Sequence, residues 1–229
     1  MRSSTYRLPV REERIESDGV PGKLYDPGDA GGLLLLGHGI DGSKDEERFV
    51  NLGRHYAETT GLAVICIDGP AHGERAPRSG DSQEDWRMVR RSVLHGGSGM
   101  VADWQKTAEA LSSIGPPVAY VGFSMGMIFG ALTVAEMPTI KAAVFGVGGI
   151  PFGVTDKAAY LEVAWKLGHP QVLMLNMTQD AIFPVDGTLE FFAAIPGRKK
   201  RLMFWEGAHG GLPAESIRRS DEFLKRYAI

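Results

Sequence analysis

Short apolar runs alternate with longer amphipathic stretches along most of the chain. Each run is four to six residues long, rich in Val, Ile, Leu and aromatic residues, and bounded by Gly, Pro or polar residues. Such continuous apolar runs are typical of strands that are buried on both faces of a sheet. The predicted strands cover residues 33–36, 62–67, 118–121, 142–147, 171–176 and 200–205.

The stretches between these runs repeat apolar residues at helical spacing. Phe49, Leu52 and Tyr56, for example, fall on one side of a helix that should begin near Lys44 and end at Gly61. The helix predicted at 98–113 should bury Val101, Trp104, Ala108 and Leu111. The predicted helices cover residues 44–60, 84–94, 98–113, 125–136, 157–167, 185–194 and 212–227.

The N-terminal part has a different pattern. Residues 6–16 mix apolar and charged positions and predict an exposed strand. Asp18 and Gly19 form a strong hairpin turn signal, and residues 20–25 are predicted to form a second, antiparallel strand. From residue 33 onward, strands and helices alternate, which predicts an α/β fold: a mainly parallel sheet with helices on both faces. No linker divides the chain, so residues 1–229 are predicted to form one domain, with 148–170 as a possible short cap.

Composition excludes several function classes. The formal net charge is −3, which gives no basic footprint for nucleic acid. Cys66 is the only cysteine, so no intrachain disulfide can form, and we expect no metal site. Residues 1–7 are polar and lack a signal region, and no apolar run approaches the ~20 residues of a membrane span. We expect a cytoplasmic monomer or homodimer.

Residues 122–126, Gly-Phe-Ser-Met-Gly, join the strand at 118–121 to the helix at 125–136. They fit the G-x-S-x-G nucleophile elbow, in which a strained turn exposes the serine hydroxyl. Side chains at positions 122 and 126 would collide across such a turn. The alternative is a Gly/Ser turn that only connects two elements.

Polar residues follow several predicted strands, at the sheet edge where α/β proteins place their sites. Ser124, Asp180 and His209 occur there in the chain order of elbow enzymes. A serine hydroxyl needs an imidazole to take its proton, and a carboxylate holds that imidazole in the correct tautomer. Asp186 is the rival carboxylate, and Asp180 could instead cap the helix at 185–194.

With these motifs, the chain resembles the α/β-hydrolase superfamily, from about Gly19 onward. Within it, the chain looks most like the small, nearly lidless branch of dienelactone-hydrolase-like proteins and carboxylesterases. One difference is that dienelactone hydrolases proper use a cysteine nucleophile, whereas this chain has Ser124. The residues that carry the resemblance are Asp18-Gly19-Val20, His38-Gly39, the segment 68–73, the elbow 122–126, Asp180 and Gly207-Ala208-His209.

An oxyanion hole needs two donors aimed at the developing charge. The elbow supplies the backbone N–H of Met125, and the resemblance points to the N–H of Ile40 as the second. His38, Gly39 and His72 are candidates for substrate contacts. For His38 and His72, bracing of their own loops is the simpler interpretation. Their spacing fits no metal motif.

The sequence therefore favours a serine hydrolase that cleaves carboxylic esters with small or short acyl groups, without a cofactor. Thioesters, lactones and amides are alternative substrates of the same triad. The Gly-Phe-Ser-Met-Gly spelling also resembles cofactor-free perhydrolases and haloperoxidases. A non-catalytic binding module is a third hypothesis, disfavoured because all three triad residue types are present.

Overall fold

The computed structural model describes residues 9–229. Within them the chain forms one eight-stranded sheet and seven α-helices. The strands are β1 (Arg11–Ser17), β2 (Val20–Asp26), β3 (Leu33–Gly37), β4 (Ala63–Ile67), β5 (Pro117–Phe123), β6 (Ala142–Gly146), β7 (Gln171–Met177) and β8 (Lys200–Trp205). The helices are α1 (Glu47–Thr60), α2 (Ser82–His95), α3 (Gly97–Ala110), α4 (Met125–Glu136), α5 (Lys157–Lys166), α6 (Val185–Ala194) and α7 (Ala214–Tyr227), and a 3₁₀ turn covers Gly73–Arg75.

The sheet order is β1-β2-β4-β3-β5-β6-β7-β8. β1 and β2 run antiparallel to each other, and β2 is antiparallel to β4, whereas β4, β3, β5, β6, β7 and β8 are parallel. The predicted fold class is confirmed. The first strand begins at Arg11, and residues 6–8 of its predicted range lie outside the described residues.

The turn between β1 and β2 follows the hairpin prediction. Asp18 and Gly19 both have positive φ, 50° and 76°. Two consecutive residues in this region make the turn type whose twist matches that of the flanking strands, and Asp and Gly tolerate it best.

Two apolar cores lie on the two faces of the sheet. Leu33 and Leu35 of β3 belong to one core and Leu34 and Leu36 to the other, because successive side chains of a strand point to opposite faces. The first core includes apolar residues of α3, α4, α5 and α6, and the second includes residues of α1 and α7. Burial on both faces explains the continuous apolar runs of the central strands.

Two details of the predicted helices are wrong. α1 begins at Glu47, after a cap in which the Glu46 side chain accepts from the Arg48 N–H, so Lys44 lies in the preceding loop. α3 buries Met100, Asp103, Trp104 and Thr107, whereas Val101, Ala108 and Leu111 are only partly buried. Within residues 9–229, no helix combines the length and apolar character that crossing a membrane requires.

Candidate active site

The elbow at the end of β5 is a sharp, strained turn. Ser124 has φ 54° and ψ −115°, a conformation that non-glycine residues rarely adopt and that clusters at functional sites. A Cβ on Gly122 would overlap the Gly126 carbonyl, and a Cβ on Gly126 would overlap the Gly37 carbonyl. Both glycines are therefore required by close backbone approach, as the motif predicts.

Hydrogen bonds from β6 and from β5 itself hold this strained turn in place. The Ser124 N–H donates to the Gly146 carbonyl of β6 at 2.9 Å. The buried Tyr120 hydroxyl donates to the Gly126 carbonyl at 2.7 Å, in the first turn of α4. Sequence reasoning treated Tyr120 only as a strand residue, because nothing in the pattern indicates where its hydroxyl lies.

Ser124, His209 and Asp180 form a continuous hydrogen-bonded row. His209 Nε2 is 3.0 Å from Ser124 Oγ, and His209 Nδ1 is 2.7 Å from Asp180 Oδ2. A carboxylate can only accept, so Nδ1 carries the ring proton, and the Nε2 lone pair faces the serine hydroxyl. The row is thus arranged for proton transfer from Ser124 to His209.

Asp180 is anchored on both of its oxygens. Oδ1 accepts from the N–H groups of Ile182 at 2.8 Å and Phe183 at 3.0 Å, while Oδ2 faces His209. The Asp180 side chain is fully buried, which strengthens its electrostatic effect on the imidazole. The rival Asp186 lies in the first turn of α6.

The loop after β3 fixes one peptide group beside the serine. The Gly39 carbonyl accepts from Gly42 N–H at 3.0 Å and from His38 Nδ1 at 2.7 Å. In a trans peptide the N–H of the next residue, Ile40, points the opposite way. Among the described residues, neither Ile40 N–H nor Met125 N–H is bonded to an acceptor.

His38 and His72 join the loops that follow β3 and β4. The Gly69 N–H donates to His38 Nε2 at 2.9 Å, which leaves the ring proton on Nδ1. His72 contacts two carbonyl oxygens, of Pro70 at 2.8 Å and Ile40 at 2.9 Å. Both histidines are buried with their ring nitrogens bonded to backbone, so of the three residues assigned to substrate contacts only Gly39 lines the cleft.

His38 should make stability depend on pH. Burial lowers the pKa of His38 to about 4, from about 6.5 in an unfolded chain. Because the native state favours the neutral ring, this stabilisation is complete above pH 6.5 and is lost as the pH falls towards 4. The difference between the two pKa values corresponds to about 3 kcal/mol in the free energy of unfolding. Urea unfolding at steps from pH 7.5 to 4.5 measures it.

The control for this prediction is His38→Asn, which keeps a donor near the Nδ1 position but does not titrate. Its free energy of unfolding should fall less than that of the wild type between pH 6.5 and 4.5. Equal slopes for the two proteins would mean that His38 is not held neutral by the fold.

A buried ion pair supports the same two loops. Lys44 Nζ is 3.0 Å from Asp68 Oδ2, and the Lys44 N–H donates to Asp68 Oδ1 at 2.9 Å. Both side chains are at most 1% exposed. Burial lowers the pKa of Lys44, but hydrogen bonds to Asp45, Glu74 and Asp68 outweigh it, and the pKa is raised overall. Sequence reasoning missed this pair, because Lys44 has the pattern of an exposed first helical residue.

A cleft of about 360 Å³ contains Ser124 and His209. Its walls come from the β3–α1 loop, the start of α1, the elbow, Val147 of the β6–α5 segment, and Gly210. Residues 148–156 lack regular structure, and Phe152 N–H bonds the Ile182 carbonyl beside Asp180. Within residues 9–229, no group of three His, Cys, Asp or Glu side chains is placed to hold a metal ion.

No protein-family model and no curated protein matches the chain. Among solved structures, a polyethylene glycol-bound cold-adapted esterase from an Arctic intertidal metagenomic library is 26% identical, with TM-score 0.81 over 97% of this chain and 96% of that chain. The esterase Pf2001 of Pyrococcus furiosus is 17% identical, with TM-score 0.74 over 96% and 93%. A protein assigned as a dienelactone hydrolase from Klebsiella pneumoniae is 20% identical, with TM-score 0.72 over 95% and 98%.

These neighbours match the chain over almost its full length. Their TM-scores of 0.72 to 0.81 show that they share its overall fold. The chain therefore has the α/β-hydrolase fold, and its structure is similar to those of esterases and of a protein assigned as a dienelactone hydrolase.

Proposed function

We propose that the protein is a serine hydrolase that cleaves carboxylic esters through an acyl-enzyme on Ser124. The observation that carries the proposal is the hydrogen-bonded row from Ser124 through His209 to Asp180. This row has the donor and acceptor pattern that activates a serine, and it begins at a strained turn in which Ser124 is partly exposed. The names of the structural neighbours, two of them esterases, support the same reaction class.

In the first half-reaction, Ser124 Oγ attacks the ester carbonyl while His209 Nε2 takes its proton. The carbonyl oxygen becomes an oxyanion, for which the Ile40 and Met125 N–H groups are the proposed donors. The intermediate then breaks its bond to the alcohol oxygen, and His209 returns the proton to that oxygen. Asp180 stabilises the transient imidazolium but does not itself become protonated.

In the second half-reaction, water takes the place of the alcohol. His209 removes a proton from the water, the resulting hydroxide attacks the acyl carbon, and the bond to Ser124 Oγ breaks. Ser124 recovers its proton from His209, and the carboxylic acid leaves. The same steps apply to thioesters, lactones and amides. The mechanism therefore defines the type of reaction, acyl transfer to water, but does not select among these substrates.

Two features of the site favour small substrates and a serine nucleophile. The cleft of about 360 Å³ matches the lower end of the ~300–1,000 Å³ found for small-molecule sites, which suits short acyl groups. Cys66, the one cysteine, is fully buried in β4, and burial raises the pKa of its thiol. A buried neutral thiol cannot replace Ser124 as nucleophile.

A fluorophosphonate probe tests the proposal directly, because it reacts with activated serines. We expect one adduct per chain, located on Ser124 by peptide mass spectrometry. Ser112→Ala, which changes an exposed serine after α3, should label as the wild type does. An unlabelled wild-type protein, or an adduct on another serine, would overturn the proposal.

A further inference from the structure

Arg48 stands in the wall of the cleft that holds Ser124. Its guanidinium carbon lies 5.3 Å from the centre of the Phe123 ring, and Phe123 directly precedes the serine. It is also 6.0 Å from the Phe49 ring, and both rings line the same cleft. Contact with the rings holds a guanidinium near one position and leaves its N–H groups available for a ligand.

The Arg48 guanidinium has no acidic partner within residues 9–229. Seven of the fourteen arginines within residues 9–229 form ion pairs with acidic side chains, and Arg48 belongs to the half that does not. The arginines in ion pairs are Arg11, Arg14, Arg54, Arg75, Arg87, Arg218 and Arg219.

A second, more open depression continues from the cleft between α1 and the segment that leads into α7. It shares Arg48 and Gly210 with the cleft and then passes Asn51 and His55 on α1 and Leu212 beyond Gly210. Together they form one groove, and Arg48 stands at its junction. Gly210 lines both parts of the groove and directly follows His209, so the groove opens beside the residue that is proposed to protonate the leaving alcohol oxygen.

We propose that Arg48 selects esters whose alcohol arm carries an anionic group, a carboxylate or a phosphate, and holds that arm in the groove between α1 and α7. The inference rests on the proposed ester hydrolysis at Ser124. A guanidinium binds the two oxygens of a carboxylate or phosphate through parallel N–H donors, which a lone ammonium cannot do.

Two carboxylates in the cleft restrict where the anion can bind. Asp41 and Glu46 both line it, and neither forms an ion pair with Arg48. The Glu46 carboxylate is held by the Arg48 backbone N–H at the start of α1. An anionic group outside the reach of the guanidinium would be repelled by these two carboxylates, so they sharpen the preference for substrates that place the charge at Arg48.

The test compares esters that differ only in charge. The pair is 4-acetoxybenzoate and neutral 4-acetoxybenzamide, with 4-acetoxyphenyl phosphate to separate carboxylate from phosphate recognition. Mono-4-nitrophenyl succinate carries the charge on the acyl arm instead. We expect Arg48→Met, which keeps the packing on Phe123, to lower kcat/KM for the anionic acetates about 10-fold and leave the benzamide nearly unchanged. Arg48→Lys should recover part of the loss.

Arg91→Gln, a change of an exposed arginine on α2, is the matched control. It should leave the ratio of kcat/KM for the anionic acetates to kcat/KM for the benzamide unchanged. Added salt should reduce the wild-type preference for the anionic acetates. If the wild type and Arg48→Met have the same ratio of kcat/KM for anionic to neutral acetates, the role of Arg48 is overturned. If Arg48→Met lowers kcat/KM only for the succinate, the assignment to the alcohol arm is overturned. Either result would leave the proposal of ester hydrolysis at Ser124 standing. That proposal fails if the wild-type protein cleaves none of these esters.

Discussion

Replacing Ser124 by alanine should lower kcat for a short-acyl p-nitrophenyl ester by about 10⁵- to 10⁶-fold, the size seen when a serine protease loses its nucleophile. Without Oγ no acyl-enzyme can form, and His209 loses the group whose proton it removes. Only the oxyanion donors and substrate binding remain. The measurement is steady-state hydrolysis at neutral pH, with burst kinetics to detect the acyl-enzyme.

Ser112→Ala serves again as the control, and it should keep the wild-type rate. The variant at Ser124 should unfold cooperatively, since the change removes one oxygen from a partly exposed position. A folded Ser124→Ala protein that retains turnover above about 1% of the wild type contradicts the assignment of the nucleophile.

Replacing Asp180 by asparagine should lower kcat by about 10⁴-fold while leaving the fold in place. An amide is close in size to a carboxylate, but it can present N–H₂ to His209 Nδ1. The ring would then carry its proton on Nε2, where it can no longer accept from Ser124. The two backbone donors to Oδ1, from Ile182 and Phe183, favour this orientation of the amide oxygen.

Asp186→Asn is the matched control, because it makes the same chemical change six positions away, at the start of α6. Its kcat should stay within a few-fold of the wild type. If Asp186→Asn causes the large loss and Asp180→Asn does not, the carboxylate of the triad has been assigned to the wrong residue.

Most of the fold follows from local patterns, because the central strands are buried on both faces and leave unbroken apolar runs. α4, α6 and β8 were predicted with the bounds they have in the structure. The strand ends then indicated which polar residues share one edge of the sheet. The placement of Ser124, Asp180 and His209 in one row follows from topology and motif together, whereas their roles stay predictions.

The features that were missed depend on contacts far apart in the sequence. The apolar pattern predicts a helix that begins near Lys44, but Lys44 lies in the loop before α1 and forms a buried ion pair with Asp68, in the loop that follows β4. The buried face of α3 is rotated from the predicted one, and it includes Asp103, which pairs with Arg75. Arg48 has the pattern of an ordinary surface residue, and only the tertiary fold brings it over Phe123.

The sheet order places the parts of the proposed triad on strands of unequal protection. Ser124 follows β5, an interior strand whose residues are all buried, whereas His209 follows β8, one of the two edge strands, whose residues are half-buried or exposed. Edge strands open locally at lower free-energy cost than central ones. On warming, local opening at β8 should therefore separate the His209 imidazole from the Ser124 hydroxyl below the temperature of global unfolding. Activity would then be lost reversibly while most of the sheet remains folded.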